Sequence, residues 1–265
     1  MRRNNFSEVV TAPARLYDRD GTVQPNDAIM DRGDAQALIE RVKSFSKAEA
    51  VEVQIFGGNV TNVRFADNQM STAGGVSDFQ VGVQSYFGAK HAVVTSNEVT
   101  DAALKAMVEK SEKLARLAPD DPESMPQLPP QQYQPVEAYF PSVANMTAEE
   151  RAKIALTALE PCRAAGDLTA AGYLENRAGF TAYGTSTGLF AYHRGTSSNY
   201  TITVRTKDGT GSGWAGAEHN DARLVDYAAV SRRAIEKARA SRSPVAVEPG
   251  RYTVIMEPQA VGDLC

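Results

Sequence analysis

Seven of the chain's thirteen prolines lie between Pro119 and Pro141, in a stretch without a regular hydrophobic period. Proline lacks a backbone N–H and interrupts both helix interiors and central strands. The stretch is therefore predicted to be an extended connection that separates two folded halves of the 265-residue chain. Any fold for this sequence has to be built from those two halves.

The first half is predicted to begin and end with a helix. The opening helix has Leu38, Ile39 and Val42 on one face, and the closing helix begins near Asp101. Short β-rich runs lie between the two helices, and turn-forming residues separate them. Those residues are Gly57-Gly58, Asp67-Asn68, Gly74-Gly75 and Gly88.

The second half repeats this order. Thr147 and Glu150 form a predicted capping box at the start of its first helix, and Pro161 is predicted to end or kink that helix. Five β-rich runs follow, and then VDYAAVSRRAIEKARAS, which is similar to TDAALKAMVEKSEKLAR of the first half. The repeated order indicates a duplication.

The predicted fold class is α+β, because an antiparallel meander with two helices buries one face of its sheet beneath them. Two similar helix–antiparallel meander–helix units are joined by the proline-rich linker. A strand at Arg251–Met256 and a helix from Pro258 indicate the start of a truncated further domain at the C-terminus. The predicted segments are a tail at 1–32, the first unit at 33–118, the linker at 119–146, the second unit at 147–246 and the C-terminal domain start at 247–265.

Composition excludes several classes of function. A formal net charge of −4 with interspersed signs gives no basic surface for nucleic acid or an anionic membrane. No apolar run is long enough to cross a bilayer, and no apolar segment follows Arg2-Arg3 as an export signal would require. The two cysteines, Cys162 and Cys265, form neither a disulfide framework nor a metal motif, so a reducing cytoplasm is predicted.

The three histidines are the first candidates for chemistry, and no two of them have metal-ligand spacing. His91 is predicted to be a hydrogen-bonded structural residue of a strand, and His193 to be exposed before a glycine turn. His219 lies in AEHND beside Glu218 and Asp221; the simpler interpretation is that Asp221 or Asn220 caps the following helix.

Three other patterns are weaker candidates. The glycines in DGTGSGWAGA (Gly209, Gly211, Gly213 and Gly216) resemble a phosphate loop, but no helix follows at once, so we interpret them as close-packing positions of a strand. Asp18–Gly21 lacks the remaining ligands of a calcium loop and is predicted to be a turn. Cys162 is predicted to be a buried structural thiol. No catalytic, metal-binding or substrate-binding residue is therefore assigned.

Three stretches resemble the TldD/PmbA family, known as modulators of DNA gyrase and as cytoplasmic metallopeptidases. They are FQVGVQSYFGAKHAVVTSNEVTDAALKAMVEKSEKLAR, GSGWAGAEHNDARLVDYAAVSRRAIEKARAS and PGRYTVIMEPQAVGDL. The resemblance covers roughly residues 33–265 and corresponds to the N-terminal and middle regions of the family.

The resemblance implies a two-subunit assembly, either a homodimer or a heterodimer with a paralogous subunit, that acts on peptides or unfolded polypeptides. Catalytic subunits of the family hold zinc with an H-E-x-x-x-H motif and a later cysteine. Two histidines at i and i+4 share one helix face and can bind one metal ion. The motif is not in this chain and would begin at about Cys265, so no cofactor is expected within the sequence.

Two functions follow as expectations. The run EPQAVGDL resembles members that lack the metal motif, which favours a non-catalytic subunit that supplies scaffold and a peptide- or partner-binding surface. Edge strands of the sheet would hold an extended peptide. The alternative is a non-enzymatic binding or regulatory module of the gyrase-modulator type.

Overall fold

A computed structural model describes residues 29–264 of the chain. The predicted tail therefore lies almost wholly outside the described residues, as do the Arg2-Arg3 pair, the Asp18–Gly21 turn and Cys265. The first unit consists of α1 (Arg32–Ser44), β1 (Ala50–Ala66), β2 (Gln69–Phe87), β3 (Lys90–Ser96) and α2 (Asp101–Leu117).

The second unit has the same order of elements after a four-residue helix, α3. Its elements are α3 (Pro141–Ala144), α4 (Ala148–Ala165), β4 (Leu168–Thr185), β5 (Phe190–Thr206), β6 (Ser212–His219), a 3-10 turn (Ala222–Leu224) and α5 (Tyr227–Ala240). A last helix, α6, spans Pro258–Leu264. The predicted α+β class and the repeated helix–meander–helix order are confirmed. None of the helices within residues 29–264 is long and apolar enough to cross a membrane.

The two meanders form one six-stranded antiparallel sheet in the order β3-β2-β1-β4-β5-β6. The units join edge to edge through β1 and β4, which pair from Glu52↔Thr185 to Phe65↔Gly172. This junction was not predicted, because its partners are separated by more than one hundred residues of sequence. It makes the duplicated units one continuous sheet.

All four long helices cover the same face of this sheet. The first core cluster contains Val53 and Ile55 of β1 together with residues of α1 and α2. The second contains Val63 and Phe65 of the same strand together with residues of α4 and α5. Odd-numbered side chains of β1 share one face, because side chains alternate along a strand. The opposite face, called the open face below, carries no long helix of the described chain.

Helix α4 begins at its predicted capping box. Thr147 and Glu150 form the capping box of α4, with the Thr147 N–H donating to Glu150 Oε2 over 2.7 Å. Pro161 was predicted to end or kink α4; it does not end the helix, which continues to Ala165 and stops at Gly166, whose φ of +74° suits glycine. A kink at Pro161 stays a prediction. Cys162 is fully buried in the second core, as predicted.

The predicted strand breaks at glycine pairs are wrong. Gly57-Gly58 and Gly74-Gly75 lie inside the continuous strands β1 and β2. A Cβ atom on Gly58 would lie 2.5 Å from the carbonyl oxygen of Ala178, so the absence of a side chain there permits close approach of β4. Glycine in this sheet therefore marks tight packing between long strands as well as turns.

The predicted strand at Arg251–Met256 is also wrong. The segment has no regular structure, and Ile255 is fully exposed. A strand is stable only when a neighbour pairs with its backbone, and no described strand lies beside this segment. The predicted helix from Pro258 is present, and Val261 and Leu264 on it are exposed.

The proline-rich linker contains no helix or strand from residue 119 to 140. Backbone hydrogen bonds and side chains tie it to the sheet: the Asp121 N–H donates to the carbonyl of Ala89, and the Thr187 hydroxyl donates to the carbonyl of Leu128. These contacts hold the linker against the end of the sheet where the β2–β3 and β4–β5 turns lie.

Candidate functional site

The AEHND sequence forms a structural cap. The Asp221 side chain accepts a hydrogen bond from the Arg223 N–H and caps the 3-10 turn. The predicted capping role is therefore confirmed for this turn only, since the Asp226 side chain caps helix α5. His219 Nδ1 accepts a hydrogen bond of 2.9 Å from the Asp221 N–H. Among residues 29–264, no group of three His, Cys, Asp or Glu side chains is placed to hold a metal ion.

Asp221 connects α3 with the 3-10 turn. Its Oδ1 atom accepts a hydrogen bond of 2.7 Å from the Ser142 hydroxyl, and its Oδ2 atom lies 2.6 Å from Arg223 Nη2. The hydrogen bonds from the Arg223 side chain, followed by that from Ser142, hold the pKa of Asp221 well below its usual range. The ionised carboxylate is therefore the form that stabilises the fold.

Replacing Asp221 by asparagine should lower stability at neutral pH but hardly at all in acid. A carboxyl group whose pKa is lowered in the folded state stabilises the fold above its unfolded pKa of about 4. This stabilisation is lost as the pH falls below that value. Thermal melting from about pH 7 down to about pH 2 should show that the difference in unfolding midpoint between wild type and D221N disappears. E149Q removes an exposed carboxylate from α4 and serves as the control; an equal gap for D221N at all pH values would contradict the prediction.

The other two histidines lie on the open face. His193 is exposed, as predicted, but it lies within β5, opposite Thr181, and not before a turn. His91 lies on β3 with its ring centroid 5.5 Å from that of Tyr86. Its Nδ1 atom is buried and has no hydrogen-bond partner among the described residues, since Asp121 Oδ2 is 3.8 Å away. The hydrogen bond predicted for His91 is therefore not formed at this atom.

A cavity of about 350 Å³ lies beside His91, between the open face and the linker. Glu52 of β1, Tyr86 of β2 and Tyr183 of β4 form its sheet side, and Asp121 and residues 123–128 form its linker side. Burial raises the pKa of both tyrosines, and the charge and hydrogen bonding of Glu52 raise it further. Both phenols therefore stay protonated and can donate to the carboxylate.

Sequence reasoning did not find this cavity. Its residues come from β1, β2, β3, β4 and the linker, so no local motif contains them. The sequence offered one indication, the alternation of polar and apolar residues in VEVQIF. Glu52 and Gln54 lie on the face of β1 opposite to the one that buries Val51, Val53 and Ile55.

The outer edge of β6 is a second candidate region. The N–H and C=O groups of Ser212 both bond to the Ser241 hydroxyl, so they point away from β5. Backbone direction alternates along a strand, and Gly216 and Glu218 therefore also point outward. Since β6 ends the sheet, these two residues have no strand to pair with in the described chain.

A cleft of about 440 Å³ lies along this free edge. It is lined by Trp214, Gly216 and Glu218 of β6, Arg233 of α5, and the segment Glu257–Gln259. Lys237 holds that segment through an ion pair of 2.5 Å to Glu257 and donates to the carbonyl of Trp214 over 3.1 Å. The cleft therefore combines unpaired backbone groups, an aromatic side chain and charges of both signs.

Gly211 and Gly213 of DGTGSGWAGA serve close packing, as predicted, whereas the same prediction for Gly209 is wrong. A Cβ atom on Gly211 would lie 2.2 Å from the carbonyl oxygen of Ala238, and one on Gly213 would lie 2.2 Å from that of Ala234. Both contacts are with α5, which therefore approaches β6 at backbone distance. Gly209 has a φ of +75° and forms the turn before the strand.

Family profiles match both units of the chain. The profile described as PmbA/TldA metallopeptidase domain 1 matches residues 51–115, and the one described as PmbA/TldA metallopeptidase central domain matches residues 141–242. No curated protein sequence matches significantly.

Solved structures share the fold at low sequence identity. TldE from Thermococcus kodakarensis is 14% identical, with a TM-score of 0.67 over 77% of this chain and 47% of its own. A candidate modulator of DNA gyrase from Thermotoga maritima is 12% identical, with a TM-score of 0.72 over 81% and 50%. A third structure, a candidate modulator of DNA gyrase from Bacteroides thetaiotaomicron, is also 12% identical, with a TM-score of 0.71 over 82% of this chain and 51% of its own.

The chain thus spans about half the length of these solved structures. At such low identity they establish the fold alone, while the two matched profiles cover most of both units described above. The chain belongs to the PmbA/TldD metallopeptidase family.

Proposed function

We propose that this chain is the N-terminal part of a PmbA/TldD-type peptidase subunit of the non-catalytic type, which holds an extended peptide along β6. The observation that carries the proposal is the free edge of β6 at Gly216 and Glu218, which faces a cleft of about 440 Å³. An extended peptide can add a strand to such an edge, with main-chain hydrogen bonds for affinity and side-chain contacts for selectivity.

The proposed docking uses few groups. The peptide backbone pairs with the outward N–H and C=O groups of Gly216 and Glu218. Trp214, whose side chain lies on the open face and is partly exposed, provides an apolar contact for one peptide side chain. Arg233 and Glu257 at the rim of the cleft meet charged groups of either sign.

The proposed partner is a second PmbA/TldD subunit, either a copy of this protein or a paralogue that carries zinc. The non-catalytic assignment is supported by the run EPQAVGDL (residues 257–264), which resembles members without the metal motif. The proposed setting is the cytoplasm, which suits Cys162, a free thiol buried in the second core.

Substituting Glu218 by proline should weaken binding of an extended polypeptide by roughly 2- to 10-fold, because one backbone hydrogen bond contributes about 0.5–1.5 kcal/mol net. Proline removes the outward N–H but no hydrogen bond of β6 to β5. The measurement is a fluorescence anisotropy titration of labelled β-casein with the full chain.

The matched control is E218A, which keeps the backbone N–H and loses only the side-chain bond from Asn199 to Glu218, 3.0 Å long. E218A should bind like wild type. Equal affinity for E218P and E218A, or no binding of β-casein by wild type, would show that β6 is not the peptide site.

The assignment to a peptidase assembly has a separate test. The full-length gene product should hydrolyse casein only when it is mixed with a paralogous subunit that bears the zinc motif. A mixture no more active than the zinc-bearing subunit alone would contradict the proposed role and leave the non-enzymatic regulatory module as the alternative.

A further inference from the structure

The cavity between the linker and the open face has features that the β6 cleft does not share. At about 350 Å³ it lies within the range of small-ligand sites, about 300–1,000 Å³. Its sheet side is built from paired strands, so the positions of Glu52, Tyr86 and Tyr183 are set by the register of β1, β2 and β4. The side chains are therefore held in place before a ligand arrives.

The charge of the cavity is one-sided. Glu52 lies on the sheet side, and Asp121 and Glu123 lie on the linker side. Among the described residues that line it there is no lysine or arginine. Such a wall favours a positively charged ligand.

The two tyrosines add a second feature that favours a cation. Tyr86 and Tyr183 line the cavity beside Glu52, and their hydroxyls hydrogen-bond to its carboxylate. Aromatic rings attract ammonium and guanidinium groups through the negative charge on their faces. A carboxylate between aromatic rings suits both the charge and the methylene chain of a basic side chain.

Two buried polar atoms in the same cavity lack partners. They are His91 Nδ1 and Gln127 Nε2, which no hydrogen bond of the described chain satisfies. Gln127 is held in place by the Ser186 hydroxyl, which donates to its Oε1 atom over 2.8 Å. The Nε2 group is thus a fixed donor that needs an acceptor, and a bare cation does not supply one.

We propose that this cavity binds the side chain of a lysine or arginine residue within a polypeptide. The cationic group donates to Glu52 between the two tyrosines, and a peptide carbonyl beside it accepts from Gln127 Nε2. The ligand thereby supplies the charge that the carboxylates lack and the acceptor that the linker amide lacks. This site is separate from the β6 edge and does not depend on the peptidase assignment.

The test is calorimetric titration of the whole chain at low salt with acetyl-Ala-Lys-Ala-amide. We expect saturable binding that is at least tenfold weaker when the lysine is acetylated and at least tenfold weaker in E52Q. The control E149Q makes the same chemical change on exposed α4 and should bind like wild type. Equal binding of the two peptides, or of wild type and a folded E52Q, would overturn the proposal.

A linker variant tests the second contact without altering the sheet. Q127A should weaken binding of the peptide and leave binding of n-butylamine unchanged, because butylamine has no carbonyl group. If butylamine binds as tightly as the peptide, the ligand is a free amine and the polypeptide assignment is wrong.

Discussion

Replacing Gly213 by alanine is expected to lower the free energy of unfolding by about 3 kcal/mol, because a methyl group is forced against the backbone of a helix. The added Cβ atom would lie 2.2 Å from the carbonyl oxygen of Ala234 and 2.5 Å from the amide nitrogen of Ala238. Neither backbone atom can rotate away, so α5 has to move off β6. For a chain of this size the midpoint of thermal unfolding should fall by roughly 6–12 °C.

The matched control is G74A in β2. Both glycines lie inside strands, but the nearest atoms to a Cβ on Gly74 are 4.0 Å away, on the Asn62 side chain. G74A should therefore stay within about 0.5 kcal/mol of wild type. Calorimetry that finds similar losses for both variants would mean that glycine flexibility, and not contact with α5, determines the role of Gly213.

The helices were predictable because their signals are local. Thr147 and Glu150 satisfy each other's backbone groups within four residues, and the sequence contains both partners. Thr100 is also a local cap, since its hydroxyl accepts from the Ala103 N–H at the start of α2. Repetition of these helices around β-rich segments was sufficient to predict the α+β class and the duplicated units.

The strand boundaries were not predictable, since glycine has two roles. At Gly88 and Gly209 the φ angles are +60° and +75°, and both residues form turns, although the sequence predicted a turn only at Gly88. At Gly58 the same residue type allows two central strands to approach inside one sheet. The residue type alone does not distinguish a turn glycine from a packing glycine, because the packing contact is made with a strand that is distant in sequence.

The candidate sites depend on the same long-range pairing. Glu52 meets Tyr183 only because β1 of the first unit pairs with β4 of the second. The linker closes the cavity because its hydrogen bonds to the β2–β3 and β4–β5 turns hold it there. A motif search finds residues that are close in sequence, and AEHND, the best such group, turned out to be a cap.

Tyr200 is the residue whose truncation should cost most in the second core: Y200A is expected to destabilise the fold by about 3–5 kcal/mol. Its side chain is fully buried, and its ring packs edge-on against Tyr227 at 5.5 Å between centroids. Its hydroxyl lies 2.9 Å from Ser231 Oγ. The large expected loss comes from the cavity left by the ring, since the core is covered by α4 and α5 and cannot collapse freely.

The control Y200F keeps the ring and should lose only about 1 kcal/mol, because one hydrogen bond disappears while Ser231 still donates to the Tyr227 carbonyl. Burial raises the pKa of Tyr200, so the folded chain keeps the phenol neutral after the unfolded chain begins to ionise near about pH 10. Stability should therefore fall above that pH, and less steeply in Y200F, which has no phenol at this position. Denaturant unfolding of wild type and Y200F at several alkaline pH values measures both effects; identical slopes would show that Tyr200 ionises as easily inside the core as in water.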